Sequence, residues 1–342
     1  MKVSVLMPVY NAELFIEQAV KSILTQTLHD FELIIIDDGS NDKSVEIVTR
    51  LQDSRVRLYQ NESKCGVAAT LNRGLSLARG EYIARMDADD VSLKTRLEYQ
   101  AQYLDSNPDI GIVGSWIRLF GDQLPLVEKT PVGSDILAAY LVFDNPLFHP
   151  AVMFRRSLIE KDGLSYDSVF NRTEDFELWT RAVNFTRLEN LPIVLHKMRH
   201  HKQSVTSTAS DVMTDQTCKL LARQLKSLGL SPTAVEVSFH HAVSRGKRLQ
   251  TRQDIDRAEQ WLRLLRKKNS ENGIHNPKMF DLVVGMIWFR LCRNSTPLGW
   301  WIWKKYRQFE VCKSYKPTNK EIVFCFLSIL WHRLMLGRQR AI

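Results

Sequence analysis

The chain has 342 residues, 44% hydrophobic and 25% charged, the ordinary balance of a globular protein with a sizeable core in one large domain or two smaller ones. Its formal net charge of +9 favours an anionic partner (a nucleotide, a nucleic acid or an acidic membrane surface) without choosing among them. No apolar run reaches bilayer-spanning length, and the five scattered cysteines lack metal-ligand spacing, so a transmembrane segment and a thiolate metal site are excluded and reduced thiols in the cytoplasm are expected.

Residues 3–7 predict a buried strand; the apolar run stops at Pro8, which marks a strand start and not a signal peptide. Asn11 is expected to N-cap a helix with Ile16, Val20, Ile23 and Leu24 on one face. The continuous aliphatic run at 33–36 predicts a strand covered on both sides, ending in Asp37-Asp38-Gly39-Ser40. A helix through Val45, Val48 and Leu51 follows, then a strand at 56–59 and a helix with Leu71, Leu75 and Ala78 in register. Gly80 releases the next strand, 82–86, and that strand delivers Asp87, Asp89 and Asp90. This rhythm predicts an α/β fold, a doubly wound and mostly parallel sheet with flanking helices. Ligands of such sheets sit beyond the carboxyl ends of the strands, where Tyr10-Asn11, Asp37-Asp38 and the aspartates after 86 all fall.

Residues 110–120 are strand-like and are followed by loops holding Asn145-Pro146-Leu147-Phe148-His149-Pro150, Glu174-Asp175 with Trp179, and Arg199-His200-His201. Beyond 211 the pattern is helical and basic. The expected division is an α/β half at 1–110, a mixed half at 111–210 and a helical, basic region at 211–342.

If the extended conformation persists, Asp87 and Asp89 point the same way, and crowded carboxylates need a cation between them. Hard oxygen donors of this kind suit Mg²⁺ or Mn²⁺ shared with a substrate phosphate. In isolation an Asp-x-Asp is also a polar turn ending a strand; the neighbouring clusters favour the site.

Taken in order and spacing, residues 5–11, 37–40 and 80–90, Glu174-Asp175 with Trp179, and Arg199-x-His201 resemble family-2 glycosyltransferases of the bacterial lipooligosaccharide, O-antigen and capsule type. The resemblance covers about the first 210 residues. It implies the GT-A fold, a nucleotide-diphosphate sugar donor, a divalent metal (Mn²⁺ or Mg²⁺) and transfer with inversion. It implies that Pro8 and Tyr10 line the nucleotide base and that Asp38 accepts the uracil N3 proton, favouring a UDP-sugar. Asp87 would reach the ribose or a metal-bound water, Asp89 would hold the metal, and Arg85 would contact the donor. His201 would approach the metal or pyrophosphate. Asp175 would be the base that takes the acceptor proton, held ionised at a helix start, with Glu174 orienting the acceptor or an adjacent loop.

The Gln-x-x-Arg-Trp signature of processive synthases is absent, which points to one sugar per encounter on a glycan or lipid-linked acceptor. Past 211, Trp288, Trp300, Trp301 and Trp303 stand among Lys304, Lys305, Arg307, Arg333, Arg338 and Arg340. They fit either a helical cap with tryptophans in its core or a peripheral contact with the anionic inner face of the plasma membrane. A catalytically inactive sugar-nucleotide-binding protein is the rival reading; it would be expected to lack a metal carboxylate or the base, and both are present. No nucleic-acid recognition motif occurs, so no nucleic-acid partner is expected.

Overall fold

The computed structural model of the chain describes residues 1–122, 125–201 and 211–339, with side chains through His332 in the last segment. Strand β1 (Val3–Val9) lies between β2 (Phe31–Asp37) and β4 (Tyr82–Arg85), and β3 (Val56–Gln60) pairs with β2; all four run parallel. Alternation sorts the side chains of β1 to two faces. Val3, Val5, Met7 and Val9 join Ile16, Val20 and Ile23 of α1 (Ile16–Leu24) in one core. The opposite face carries Leu6, which meets α3 (Val67–Leu77) at Gly74, where an added Cβ would stand 2.0 Å from Leu6 Cδ1. Helix α2 (Ser44–Arg50) links β2 to β3. Burial on both faces explains the unbroken aliphatic run of β2.

Register positions the site. Val9 pairs with Asp37, while β4 stops at Arg85, level with Leu6. The residues after Arg85 therefore turn at the same rim as Tyr10 and Asp38.

The second half of the sheet is mixed. After the short β5 (Val91–Ser92) and α4 (Arg96–Ser106) come β6 (Ile110–Gly121), β7 (Leu126–Glu128), α5 (Ser134–Tyr140), β8 (Met153–Arg155), α6 (Ser157–Asp162), α7 (Glu174–Ala182) and β9 (Arg187–His200). The order is β3-β2-β1-β4-β8-β6-β9-β5, with β8 antiparallel to both β4 and β6, β9 parallel to β6 and β5 antiparallel to β9.

The chain divides into two compact units, Met1–Leu137 with Asn145–Gln216, and Ala138–Asp144 with Thr217–Ile342. The second contains α8 (Asp211–Ser227) from Thr217 on, α9 (Ala234–Ser244), α10 (Arg252–Asn272), α11 (Pro277–Asn294), α12 (Trp300–Gln308) and α13 (Asn319–Gln339). Capping boxes start α9 at Thr233/Glu236 and α10 at Thr251/Asp254.

One sequence expectation changes here, and one open alternative narrows. Asn11 does not cap α1, which begins at Ile16 after Phe15. It adopts a left-handed φ of 49°, donates its N–H to Ser40 Oγ at 2.9 Å and accepts from Asn41 N–H through Oδ1 at 2.9 Å, pinning the β1–α1 loop to the β2–α2 loop. In the helical unit Trp288 is wholly buried, edge-on to Phe309, and Lys305 pairs with Asp256 and Glu259, each at 2.6 Å. Trp288 therefore faces no outside surface, and the Lys305 charge is taken up by its two partners. Arg340 lies outside the described residues, as do the side chains of Arg333 and Arg338.

Candidate active site

The rim beyond β1 and β2 carries the first polar group. Pro8 is half-buried in β1 opposite Ile36, and Tyr10 just past the strand is exposed with Lys64 Nζ 3.5 Å from its ring centroid. Asp38 is held at the end of β2 by its own N–H donating to Val9 O at 2.8 Å. Its Oδ1 accepts from Cys65 N–H at 2.9 Å and Asn61 Nδ2 at 2.8 Å, and Oδ2 accepts from Gly66 N–H at 2.9 Å. Burial pushes this carboxyl up, yet the donors from Cys65, Asn61 and Gly66 outweigh it and hold it below its ordinary value. Gly66, with φ 88°, is the residue from which α3 starts, so Asp38 closes the N-terminal turn of that helix.

Asp87, Asp89 and Asp90 converge, but not as strand residues. The extended backbone ends at Arg85, and a turn closed by Asp90 N–H on Asp87 O brings the three carboxylates together, with one oxygen of each within 4.8 Å of the others. Beneath them Arg85, 5% exposed, ion-pairs with Asp87; no acceptor for its Nε–H is found among the described residues. Burial works against the guanidinium charge, but Asp87 more than restores it and raises its pKa.

His201, just past β9, places Nε2 3.0 Å from Asp89 Oδ2, with its ring 5.0 Å from Phe15. Burial, then the charges of Asp87 and Asp90, push the Asp89 carboxyl up to about 6 against the pull of His201. Asp90 has a different task. It is 1% exposed, accepts Arg199 N–H at 2.7 Å through Oδ1, and meets His196 Nε2 at 2.8 Å through Oδ2. Arg96 Nη1 lies 3.3 Å from His196 Nδ1. An arginine can only donate, so Nδ1 is the acceptor and Nε2 carries the proton given to Asp90. Arg96 also donates to Arg85 O at 2.7 Å and Val152 O at 3.1 Å, so this buried set braces the turn.

The donor set fits a hard divalent cation at Asp87 and Asp89, with His201 beside them. Asp90, its two oxygens already occupied, supports these residues from below.

The second carboxylate pair opens α7. Asp175 Oδ1 accepts Phe176 N–H at 2.7 Å and Oδ2 accepts Asn145 Nδ2 at 2.7 Å. Glu174 lies 3.9 Å from His149 Nδ1, and His149 Nε2 meets the buried Tyr166 hydroxyl at 2.9 Å. The helix start does not dominate here, contrary to the sequence expectation. Burial pushes both acids up, Glu174 to about 7 with the charge of Asp175 adding to it; Phe176 N–H, the Asn145 amide and Arg85 oppose the rise at Asp175. Desolvation beats the dipole because the pair sits in protein and not at the surface.

Asn145, Arg96 and His196 were not read as site residues. Asn145 stood in a motif already visible in the sequence; His196 carried no signal, being 106 residues from the aspartate it supports.

A Rossmann-like parallel half extended by a mixed half, with its acids gathered at the carboxyl rim, is the architecture of the GT-A fold. The profile of the family "Glycosyl transferase family 2" matches residues 4–176, half of the chain, and the protein belongs to that family. The O-antigen biosynthesis glycosyltransferase WbnJ of Escherichia coli is 35% identical over 216 residues, 60% of this chain and 83% of its own. S. aureus TarS 1–349, solved in complex with UDP-GlcNAc, superposes with a TM-score of 0.58 at 17% identity, covering 90% of this chain and 92% of that one. The mannosyltransferase PcManGT from Pyrobaculum calidifontis, solved with GDP-Man and Mn²⁺, gives 0.52 at 17% identity over 96% of this chain and 87% of that one. At such identities the likeness to these structures is one of fold.

Proposed function

We propose that this glycosyltransferase moves one sugar per encounter, with inversion, from a UDP-sugar to a glycan or lipid-linked acceptor of bacterial surface polysaccharide. The observation that carries the reading is the meeting of two acid groups across one buried cation: Arg85 pairs with Asp87 and its charge reaches Glu174 and Asp175. An inverting transfer needs a place for the diphosphate and a base on the acceptor side, and these groups supply both.

In this reading Pro8 and Tyr10 line the base, and the Asp38 carboxylate accepts the uracil N–H beside its existing donors. Asp87, Asp89 and His201 hold a divalent cation, Mn²⁺ or Mg²⁺; when bound it neutralises charge developing on the UDP leaving group. The binding of Mn²⁺ by the archaeal mannosyltransferase, and of UDP-GlcNAc by TarS, supports this choice. Arg85 adds a fixed positive charge from below. Asp175 takes the acceptor hydroxyl proton as that oxygen attacks the anomeric carbon, the C1–O bond to the diphosphate breaks, and UDP leaves. Glu174 orients the acceptor.

The functional division follows: residues 1–110 hold the donor, 111–210 the acceptor and base, and 211–342 form a helical region. We place peripheral membrane contact in that region on α13, at Val323, Phe324, Leu327, Leu330 and Trp331, all exposed.

Asp175→Asn tests the core of the reading. With whichever member of a UDP-sugar panel the wild type hydrolyses or transfers in Mn²⁺, turnover should fall by roughly 10²-fold or more while calorimetric UDP binding stays near wild type. A wild-type rate would move the base elsewhere, with Glu174 next in line.

A further inference from the structure

The loop Asn145-Pro146-Leu147-Phe148-His149-Pro150 is absorbed by none of the roles above, yet it faces the proposed base. Asn145 is the joint. Its Oδ1 accepts Leu147 N–H at 3.0 Å, and its Nδ2 donates to Asp175 Oδ2 at 2.7 Å. The first bond fixes which end of the amide is which, because a backbone N–H needs an acceptor; the NH₂ group must then face the carboxylate. The rest of the loop is immobilised. His149 and Pro150 are buried, the His149 ring stands edge-on to Trp179 of α7, and its Nε2 meets Tyr166 OH. Tyr166 is tied in both directions to Asn72 of α3, by Asn72 Nδ2 to Tyr166 O and Tyr166 N–H to Asn72 Oδ1, each at 2.8 Å. A donor on so rigid a loop sets the direction of the group it touches.

We infer that Asn145 is a positioning residue for the transfer reaction: its amide, oriented by Leu147 and carried on the buried loop, aims the Asp175 carboxylate and stabilises its charged form. With Phe176 N–H on Oδ1 and Asn145 on Oδ2, the carboxylate plane cannot rotate without breaking a bond to one side or the other. The inference rests on Asp175 being the base.

The charged and titratable groups around Asp175 are Glu174 on its own helix, Arg85 of β4, Asp87 beyond β4, and Tyr166 and His149 from the segments against α7. Phe176 N–H, the Asn145 amide and Arg85 favour the ionised form, and burial opposes it most. Without the amide donor, the balance tips toward the neutral acid.

Asn145→Asp separates this role from a merely structural one. The new side chain still offers an oxygen to Leu147 N–H, so the loop turn is kept, but the donor to Asp175 becomes a second acceptor with a negative charge. The measurement is the pH profile of kcat for the UDP-sugar that the wild type turns over, beside calorimetric UDP binding and a thermal melt. Asn145→Asp should melt near wild type, bind UDP with unchanged affinity, lower kcat by roughly tenfold or more at pH 7, and move the acid limb up by about one pH unit. Asn145→Ala should lose kcat in the same direction with a smaller displacement of the limb. A wild-type rate and profile in Asn145→Asp, while Asp175→Asn is inactive, would overturn the positioning role and leave the base in place. Wild-type turnover in Asp175→Asn would instead remove the base and this inference with it.

Discussion

Asp38 serves fold and site through one carboxylate. Because it accepts from Cys65 and Gly66 at the start of α3, its loss is not confined to the donor. Asp38→Ala should weaken UDP binding, raising the donor KM, and also lower stability by about 1 kcal/mol, the cost of leaving part-buried donors unpaired. The pH dependence has a definite sign: a folded-state value held below the ordinary carboxylate range adds stability above that range, which is lost as pH falls through the folded value. Urea unfolding of the variant at neutral pH, beside calorimetric UDP binding, checks both halves; an unchanged urea midpoint would contradict the helix-closing role. Asp89 carries the opposite imbalance, a carboxyl pushed up to about 6 by burial and two neighbouring aspartates. Asp89→Ala should relieve that repulsion, keep or raise the melting temperature, and abolish Mn²⁺-dependent UDP binding and turnover. Full activity in the variant, or wild-type activity in excess chelator, would remove the metal role.

At the scale of elements, His240 helps tie α9 into the helical unit. His240 Nδ1 accepts Trp261 Nε1–H of α10 at 3.0 Å, and Nε2 meets Val142 O at 2.8 Å. The proton therefore sits on Nε2, and a second proton on Nδ1 would face an N–H donor. Burial lowers this histidine to about 4 from an ordinary 6.5. A depressed value means stability that is whole above 6.5 and is lost as pH falls toward 4, in all about 3 kcal/mol. The wild type should lose urea resistance between pH 7 and 4.5, and His240→Gln should show a visibly flatter dependence although it starts less stable. Equal slopes would mean that other groups govern the acid limb.

For the whole molecule, the net charge of +9 acts together with the exposed apolar stripe on α13. No described helix is long and apolar enough to cross a membrane. Val323, Phe324, Leu327, Leu330 and Trp331 recur at helical spacing, and Phe324 and Leu327 are 60% and 61% exposed. Lys313, Lys316 and Lys320 stand exposed just before or at its start. In the proposed membrane contact this face would lie in the plane of a lipid interface, each basic residue near an anionic surface adding on the order of 1 kcal/mol. Co-sedimentation with phosphatidylglycerol-containing vesicles should exceed that with phosphatidylcholine alone and weaken as salt rises. The double change Phe324→Ser with Leu327→Ser should abolish it; binding that survives the change would free α13 of this role.

The local pattern of residues determined the elements. The apolar runs of β1 and β2 and the acids placed just after strand ends need no distant information, so the sheet, its rim and the acid clusters were legible along the chain. Tertiary structure decided how those acids behave. Asp87, Asp89 and Asp90 meet through a turn and not along a strand; Asp90 is spent on His196, and Asp175 is oriented by Asn145 from another segment. The helix start that should have kept Glu174 and Asp175 acidic is outweighed by the protein packed around it. Among the tryptophans, Trp288 went to the core while α13 kept its apolar face outward, a choice that aromatic and basic composition could not make. The reason is common to all of these: backbone periodicity is a local property, whereas desolvation, ion pairing and hydrogen-bond partners depend on which distant residues the fold brings within a few ångströms.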